Sequence, residues 1–219
     1  MAETDSMLEQ MFREKAAGMD FSMKQEAKED TGYPSGFLNF DYQNGFINDE
    51  RLSNGELHPY YVLGITDGSY NAFIGNTGCG KSTLVTQIAA NIARQYKTST
   101  IFEDNIEGGM TSSRRRSLSG FSVEEYEKRY IVRNTGITAE NFYERIKMIH
   151  DLKLSNVDKF LYDTKRNDVY GKPIMKLEPT LYIIDSIPML MPKEYIDDDE
   201  LAGKSSGAAT AQILTRIFR

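Results

Sequence analysis

The segment Gly75–Asn76–Thr77–Gly78–Cys79–Gly80–Lys81–Ser82 concentrates the residue types that hold a phosphate chain. Glycine at 75 and 80, followed by Lys81 and Ser82, completes the spacing G-x-x-x-x-G-K-[ST]. A backbone that wraps closely around an anion needs residues without a Cβ at its tight and left-handed positions. The N–H groups of such a loop, and those of the first turn of a following helix, face the anion with a favourable dipole. In this pattern Lys81 brings a point charge to the β- and γ-phosphates, and the Ser82 hydroxyl is a ligand for Mg²⁺. The candidate nucleotide-binding set is therefore Gly75, Asn76, Thr77, Gly78, Cys79, Gly80, Lys81, Ser82 and Thr83, with ATP and Mg²⁺ as the implied cofactors. Cys79 reads as a small filler within the loop.

A phosphate loop of this type predicts a second acid on the metal side, at the end of a neighbouring buried strand. The run Leu181–Tyr182–Ile183–Ile184–Asp185 supplies it. Its apolar residues suit a strand covered on both faces, and Asp185 emerges at the carboxyl end, where open α/β sheets bind ligands. Hydrolysis further requires a group that orients the attacking water. Ile101–Phe102–Glu103–Asp104–Asn105–Ile106–Glu107 offers several carboxylates, of which Glu107, just before Gly108 and Gly109, and Glu103 are the candidates.

These groups need a scaffold, and the apolar pattern provides one. A buried strand is predicted over Ser69–Ile74 and a helix over Lys81–Gln95, with Leu84, Ile88 and Ile92 on one face. A second strand is predicted over Ser99–Asn105, helical sequence after Thr111, a third strand from Tyr130 to Val132 and an amphipathic helix over Thr138–Leu152. Thr180–Ile184 closes the series. Strands separated by helices imply βαβ units and an α/β fold with a mostly parallel sheet. Residues 37–70 read as short strands and turns, and about 154–178 as an inserted hairpin. Residues 1–33 form a candidate N-terminal arm ahead of a core over 34–219. Met7, Leu8, Met11 and Phe12 share a helical face there that would dock on another surface, as an oligomerisation helix does. Arg114–Arg115–Arg116 reads as a solvated basic face, because adjacent residues on a helix point in different directions.

The net charge of −6 argues against a wide basic face that coats nucleic acid but leaves room for a local basic groove. A single cysteine forms no internal disulfide, which suits a reducing compartment. No apolar run reaches the roughly 20 residues that a bilayer requires. The expectation is a soluble, cytoplasmic protein with no membrane partner.

Three segments resemble the RecA recombinase family, including phage strand-exchange proteins. They are Gly36–Phe37–Leu38–Asn39–Phe40–Asp41–Tyr42, the stretch from Glu107 through the three arginines, and the stretch from Ile183 to Arg219. The resemblance spans residues 34–219 and is strongest at 70–110 and 180–219. It implies a RecA-like P-loop NTPase and favours Glu107 over Glu103 as the catalytic glutamate. It also implies that Met191, Pro192 and Lys193 open a DNA-binding loop to which Lys204 belongs, mobile over 194–206 until DNA orders it. The implied function is an ATP-dependent recombinase, filamentous on single-stranded DNA, in the cytoplasm of a bacterium or phage-infected host. Alternatives are a DnaB-type hexameric helicase, with a closed ring in place of a filament, and a nucleotide-binding assembly module without turnover. A RecA core would continue past Arg219 with a sensor strand and a second DNA loop.

Overall fold

A computed structural model describes residues 31–51, 56–167 and 171–193, together with residue 215. The candidate arm up to residue 30 and Lys204 lie outside the described residues. The structure is α/β, built on a three-stranded parallel sheet in the order β6-β5-β9. Strand β5 (Ile101–Asn105) lies between β6 (Tyr130–Arg133) and β9 (Leu181–Asp185). In register, Ile101 stands beside Tyr130 on one side and Leu181 on the other, and Asn105 stands beside Asp185. Parallel neighbours need crossovers, and the intervening chain supplies them as helices on both faces.

On one face lies α2 (Lys81–Ala93), preceded in the chain by a short helix, α1 (Leu38–Asn44). Ala89, Ala90 and Ala93 give α2 a small-residue stripe that approaches the sheet closely, against Ile101 and Ile183. Helices α3 (Ser112–Ser119) and α4 (Val123–Arg129) complete this layer, with Phe121 inserted into the same cluster. The opposite face of α2 carries Ile88 and Ile92, packed with Tyr33, Phe37, Phe40 and Phe73. Full burial of Ile92 and Ile101 contributes roughly 1.5–3 kcal/mol each. On the other side of the sheet, Phe142 and Ile146 of α5 (Ala139–Leu154) meet Tyr182, Ile184 and Leu190. Thr111, Ser122 and Thr138 cap the first turns of α3, α4 and α5 by accepting a backbone N–H on their side-chain oxygens.

Small antiparallel pieces surround this core. β1 (Gly32–Tyr33) pairs with β4 (Ile65–Thr66), and β2 (Phe46–Arg51) with β3 (Leu57–Val62). After α5 and the short α6 (Val157–Phe160), β7 (Leu161–Asn167) pairs with β8 (Pro173–Leu177) as a hairpin with a register shift. Arg166 of this hairpin lies over the Tyr60 ring, 3.8 Å from its centroid. Among the described residues no helix is long and apolar enough to cross a membrane.

The structure corrects three expectations. Ser69–Ile74 is not a strand: it joins none of the sheets among the described residues, Phe73 stacks on Phe40 at 5.9 Å between centroids, and Ile74 is 94% exposed. Of its apolar residues, Phe73 packs into the layer beside Ile88 and Ile92, while Tyr70, Ala72 and Ile74 are exposed. Residues 38–44, expected to be strand or turn, form α1, stabilised by buried Asp41, whose Oδ1 accepts the Ser35 N–H at 2.7 Å. Arg115, expected in solvent, is 1% exposed. Its Nε and Nη2 donate to the Glu103 carboxylate at 2.6–2.9 Å, and its Nη1 donates to the Met110 carbonyl. Because adjacent helical residues diverge, only one of three arginines could turn inward, and a buried carboxylate on β5 receives it.

The Glu103–Arg115 pair should behave as a buried ion pair. Arg115→Ala, which leaves Glu103 uncompensated, should destabilise the fold by about 3–5 kcal/mol in urea unfolding. Lys128→Ala, which removes an exposed pair with Glu124, should leave the midpoint within error.

Candidate functional site

The loop from Gly75 to Gly80 runs exposed into α2, which begins at Lys81. Gly78 and Gly80 are left-handed, with φ of 80° and 93°, and a Cβ on either would meet nothing within 4 Å. Their requirement is therefore conformational, and the space beside them is open. Gly75 differs: a Cβ there would stand 2.9 Å from Cys79 Sγ, so the exposed thiol would have to turn aside. Cys79 itself is exposed and free, and its N–H donates to the Asn76 carbonyl at 3.3 Å. The Lys81 ammonium crosses the loop and donates to the carbonyls of Gly75 and Asn76 at 2.9 and 3.0 Å. It thus sits at the mouth of the loop, beside the N–H groups that open α2. A cleft of about 440 Å³ adjoins this loop, lined among others by Phe40, Phe73, Ile74 and Leu84.

Ser82, one residue into α2, donates its hydroxyl to Asp185 Oδ2 at 2.5 Å. Two hard oxygen ligands from segments 103 residues apart thus meet at the carboxyl edge of the sheet. No group of three or more His, Cys, Asp or Glu side chains that could hold a metal ion occurs among the described residues. The Ser82 hydroxyl and the Asp185 carboxylate are oxygen donors of the kind Mg²⁺ takes, one or two at a time, with phosphate and water completing its shell. They do not fit a thiolate- or imidazole-preferring ion.

The turn after β5 is latched to the same point. The N–H groups of Ile106 and Glu107 both donate to the Asp185 carbonyl, at 2.6 and 3.0 Å. Glu107 consequently leaves the sheet at the edge where Ser82 and Asp185 meet, with its side chain exposed. Glu103 lies lower on β5, 3% exposed, and its carboxylate is occupied by Arg115 and by the Tyr130 hydroxyl at 2.6 Å. Burial, reinforced by the Glu103 charge, pushes the Tyr130 phenol above its usual pKa and keeps it a donor. Of the two candidate glutamates only Glu107 has a side chain free to meet water at the site.

Sequence reasoning gave no role to Asn105 and read Arg114 as part of a solvated basic face. Arg114 reaches back from α3, and its Nη2 donates to Thr83 Oγ1 at 3.3 Å, which brings a guanidinium beside the loop's helix. Asn105 ends β5 beside Asp185 and is 3% exposed. A signal for Asn105 existed, since it stands two residues before Glu107 at the carboxyl end of a predicted strand.

Beyond Asp185 the peptide to Ser186 is cis, and a 3₁₀ turn (Ile187–Met189) leads to buried Leu190. Met191 bridges to Thr138, and its carbonyl accepts the Ala139 N–H at 3.0 Å. Pro192 is fully buried. It follows Met191, which is bonded to the start of α5. Met191 is 38% exposed. Lys193 is exposed too, and its N–H donates to Glu140 Oε2 at 2.9 Å.

No family model matches this chain, and searches of the curated proteins and of the solved structures find no match either.

Gly80→Ala should cost about 1–2 kcal/mol of stability through left-handed strain alone. Gly109→Ala, at a position with ordinary φ and open space, should cost far less. Thermal unfolding of the two variants side by side checks the difference.

Proposed function

We propose that this chain is a RecA-type, DNA-dependent ATPase of the recombinase class. The observation that carries the reading is the Ser82–Asp185 contact at 2.5 Å, which joins the phosphate-loop helix to the end of an apolar strand. The latch of Glu107 onto the Asp185 carbonyl adds a water-facing carboxylate to the same edge.

Each residue then has a task. The N–H groups at the start of α2 and the Lys81 ammonium receive the phosphate oxygens, with Lys81 exchanging the Gly75 and Asn76 carbonyls for them. Ser82 and Asp185, which bond to each other here, would hold Mg²⁺ when nucleotide is bound. When bound, Mg²⁺ supplies charge neutralisation across the phosphate oxygens. The Glu107 carboxylate orients a water for in-line attack and accepts its proton. Arg114, anchored at Thr83, adds positive potential beside the phosphate chain.

The DNA assignment rests on the resemblance of residues 180–219 to the recombinase loop region. In this reading Met191, Pro192, Lys193 and Lys204 belong to the set that binds single-stranded DNA. ATP stabilises a filament of many copies on DNA, and hydrolysis releases it, in the service of recombination and repair in the cytoplasm of a bacterium or an infected host.

Lys81→Ala should abolish binding of a fluorescent ATP analogue. Glu107→Gln should retain binding and lower turnover by about 10²–10⁴-fold, the usual worth of a positioned base. In the unmodified chain, single-stranded DNA should raise the rate of phosphate release. ATP hydrolysis indifferent to DNA would sink the recombinase assignment and leave the ATPase standing, and closed rings in electron micrographs would replace it with a helicase.

A further inference from the structure

At the carboxyl edge of the sheet, three polar side chains stand in lateral sequence across the strands. Asn134 follows β6, Asn105 ends β5 and Asp185 ends β9. Asn105 is held by one bond: its Nδ2 donates to Asn134 Oδ1 at 2.7 Å. Its Oδ1 is buried and has no partner among the described residues. A buried amide oxygen without a donor costs free energy, and such an orphan calls for an unseen partner.

The neighbours narrow what that partner can be. The donor end of the amide is spent on Asn134, after β6, and on β5's other side Asp185 of β9 is the register partner of Asn105. A carboxylate offers no proton to an amide oxygen. The partner must carry protons and also tolerate a carboxylate and a serine hydroxyl beside it. A water in the shell of Mg²⁺ meets all of these conditions, because Mg²⁺ sheds its waters reluctantly and polarises their O–H bonds toward nearby acceptors.

We propose that Asn105 is a positioning residue for the nucleotide's metal, its Oδ1 accepting a hydrogen bond from a Mg²⁺-bound water, with Asn134 fixing the amide in that orientation. This rests on the Mg²⁺-nucleotide reading of the Ser82–Asp185 site. Asn105 touches neither the phosphate nor the attacking water. It acts by setting how tightly the hydrated ion is held, and so couples the end of β6 to the occupancy of the site. Outer-shell partners of this kind typically change metal affinity by about 10–100-fold when removed.

The test is a Mg²⁺ titration of fluorescent ATP-analogue binding to the full chain, in unmodified protein and in the variants Asn105→Ala and Asn134→Ala. Asn105→Ala should raise the Mg²⁺ concentration at half-saturation by about tenfold or more, with metal-free nucleotide affinity within twofold of the original. Asn134→Ala, at an exposed loop position that folding should tolerate, should raise it by a smaller factor. In the unmodified nucleotide complex labelled with ¹⁵N, adding Mg²⁺ should shift the Asn105 side-chain amide resonance. That measurement stands even if Asn105→Ala fails to fold. An unchanged Mg²⁺ midpoint in a folded Asn105→Ala, or an Asn105 amide indifferent to Mg²⁺, would overturn the assignment and leave the nucleotide site intact. Absence of Mg²⁺-dependent nucleotide binding in the unmodified chain would overturn both.

Discussion

Strand β5 carries two consecutive carboxylates, Glu103 and Asp104, into the middle of the sheet, and much of the molecule is arranged to make that tolerable. A lone carboxylate at such depth would lose several kcal/mol of hydration. Strand geometry sends the two side chains to opposite faces, so each face must supply its own cation. On one face Arg115 of α3 and Tyr130 of β6 surround Glu103. On the other, Arg145 of α5 and Tyr182 of β9 meet Asp104 at 2.6 and 2.7 Å. Burial, helped by the Asp104 hydrogen bond, keeps the Tyr182 phenol above its usual pKa and therefore a donor. These pairs tie both helix layers to one strand. Any slip of α3 or α5 along the sheet would strand a buried charge, which penalises alternative packings far more than loss of an aliphatic contact would.

That constraint also explains which parts of the molecule could be read from residue types alone. The helix after Lys81 and the strand before Asp185 were legible because their signals are local: a complete loop motif, helical periodicity at Leu84, Ile88 and Ile92, and a short apolar run ending in an acid. Strand β5 was legible as a strand, but the allotment of its acids was not. Glu103, Asp104 and Glu107 look alike in sequence. Only the alternation of faces and the arrival of Arg115 and Arg145 from distant helices separate buried counter-charges from an exposed carboxylate. Arg115 was misread for the same reason. Its partner lies 12 positions earlier in the chain, and nothing in three adjacent arginines says which one turns inward.

The failure at Ser69–Ile74 has a different origin. A short apolar stretch before a glycine-rich loop satisfies strand propensity, but pairing needs a neighbour as well as a preference. Phe73 is claimed by the aromatic layer above α2, through Phe40, and Ile74 is left in solvent. Likewise Leu38–Asn44 has the apolar content of a strand, and becomes a helix because Phe37 and Phe40 both pack toward Ile88 and Ile92 while Asp41 accepts the Ser35 amide behind them. In both cases a tertiary contact overrides a weak local preference.

The site inherits its geometry from the same economy of contacts. Asp185 uses its side chain toward Ser82 and its carbonyl toward the amides of Ile106 and Glu107. A single residue thereby joins the helix that would carry phosphate, the turn that would carry a base, and the chain that continues toward Lys193. That continuation is stiff where it leaves the sheet: Leu190 is packed under α5, Met191 is bonded to Ala139, and Pro192 is buried. The described chain beyond Asp185 is thereby tied to α5 as far as Lys193, whose N–H donates to Glu140 Oε2 at 2.9 Å. The same edge also receives the buried Asn105 amide, which β5 sets beside Asp185 in register.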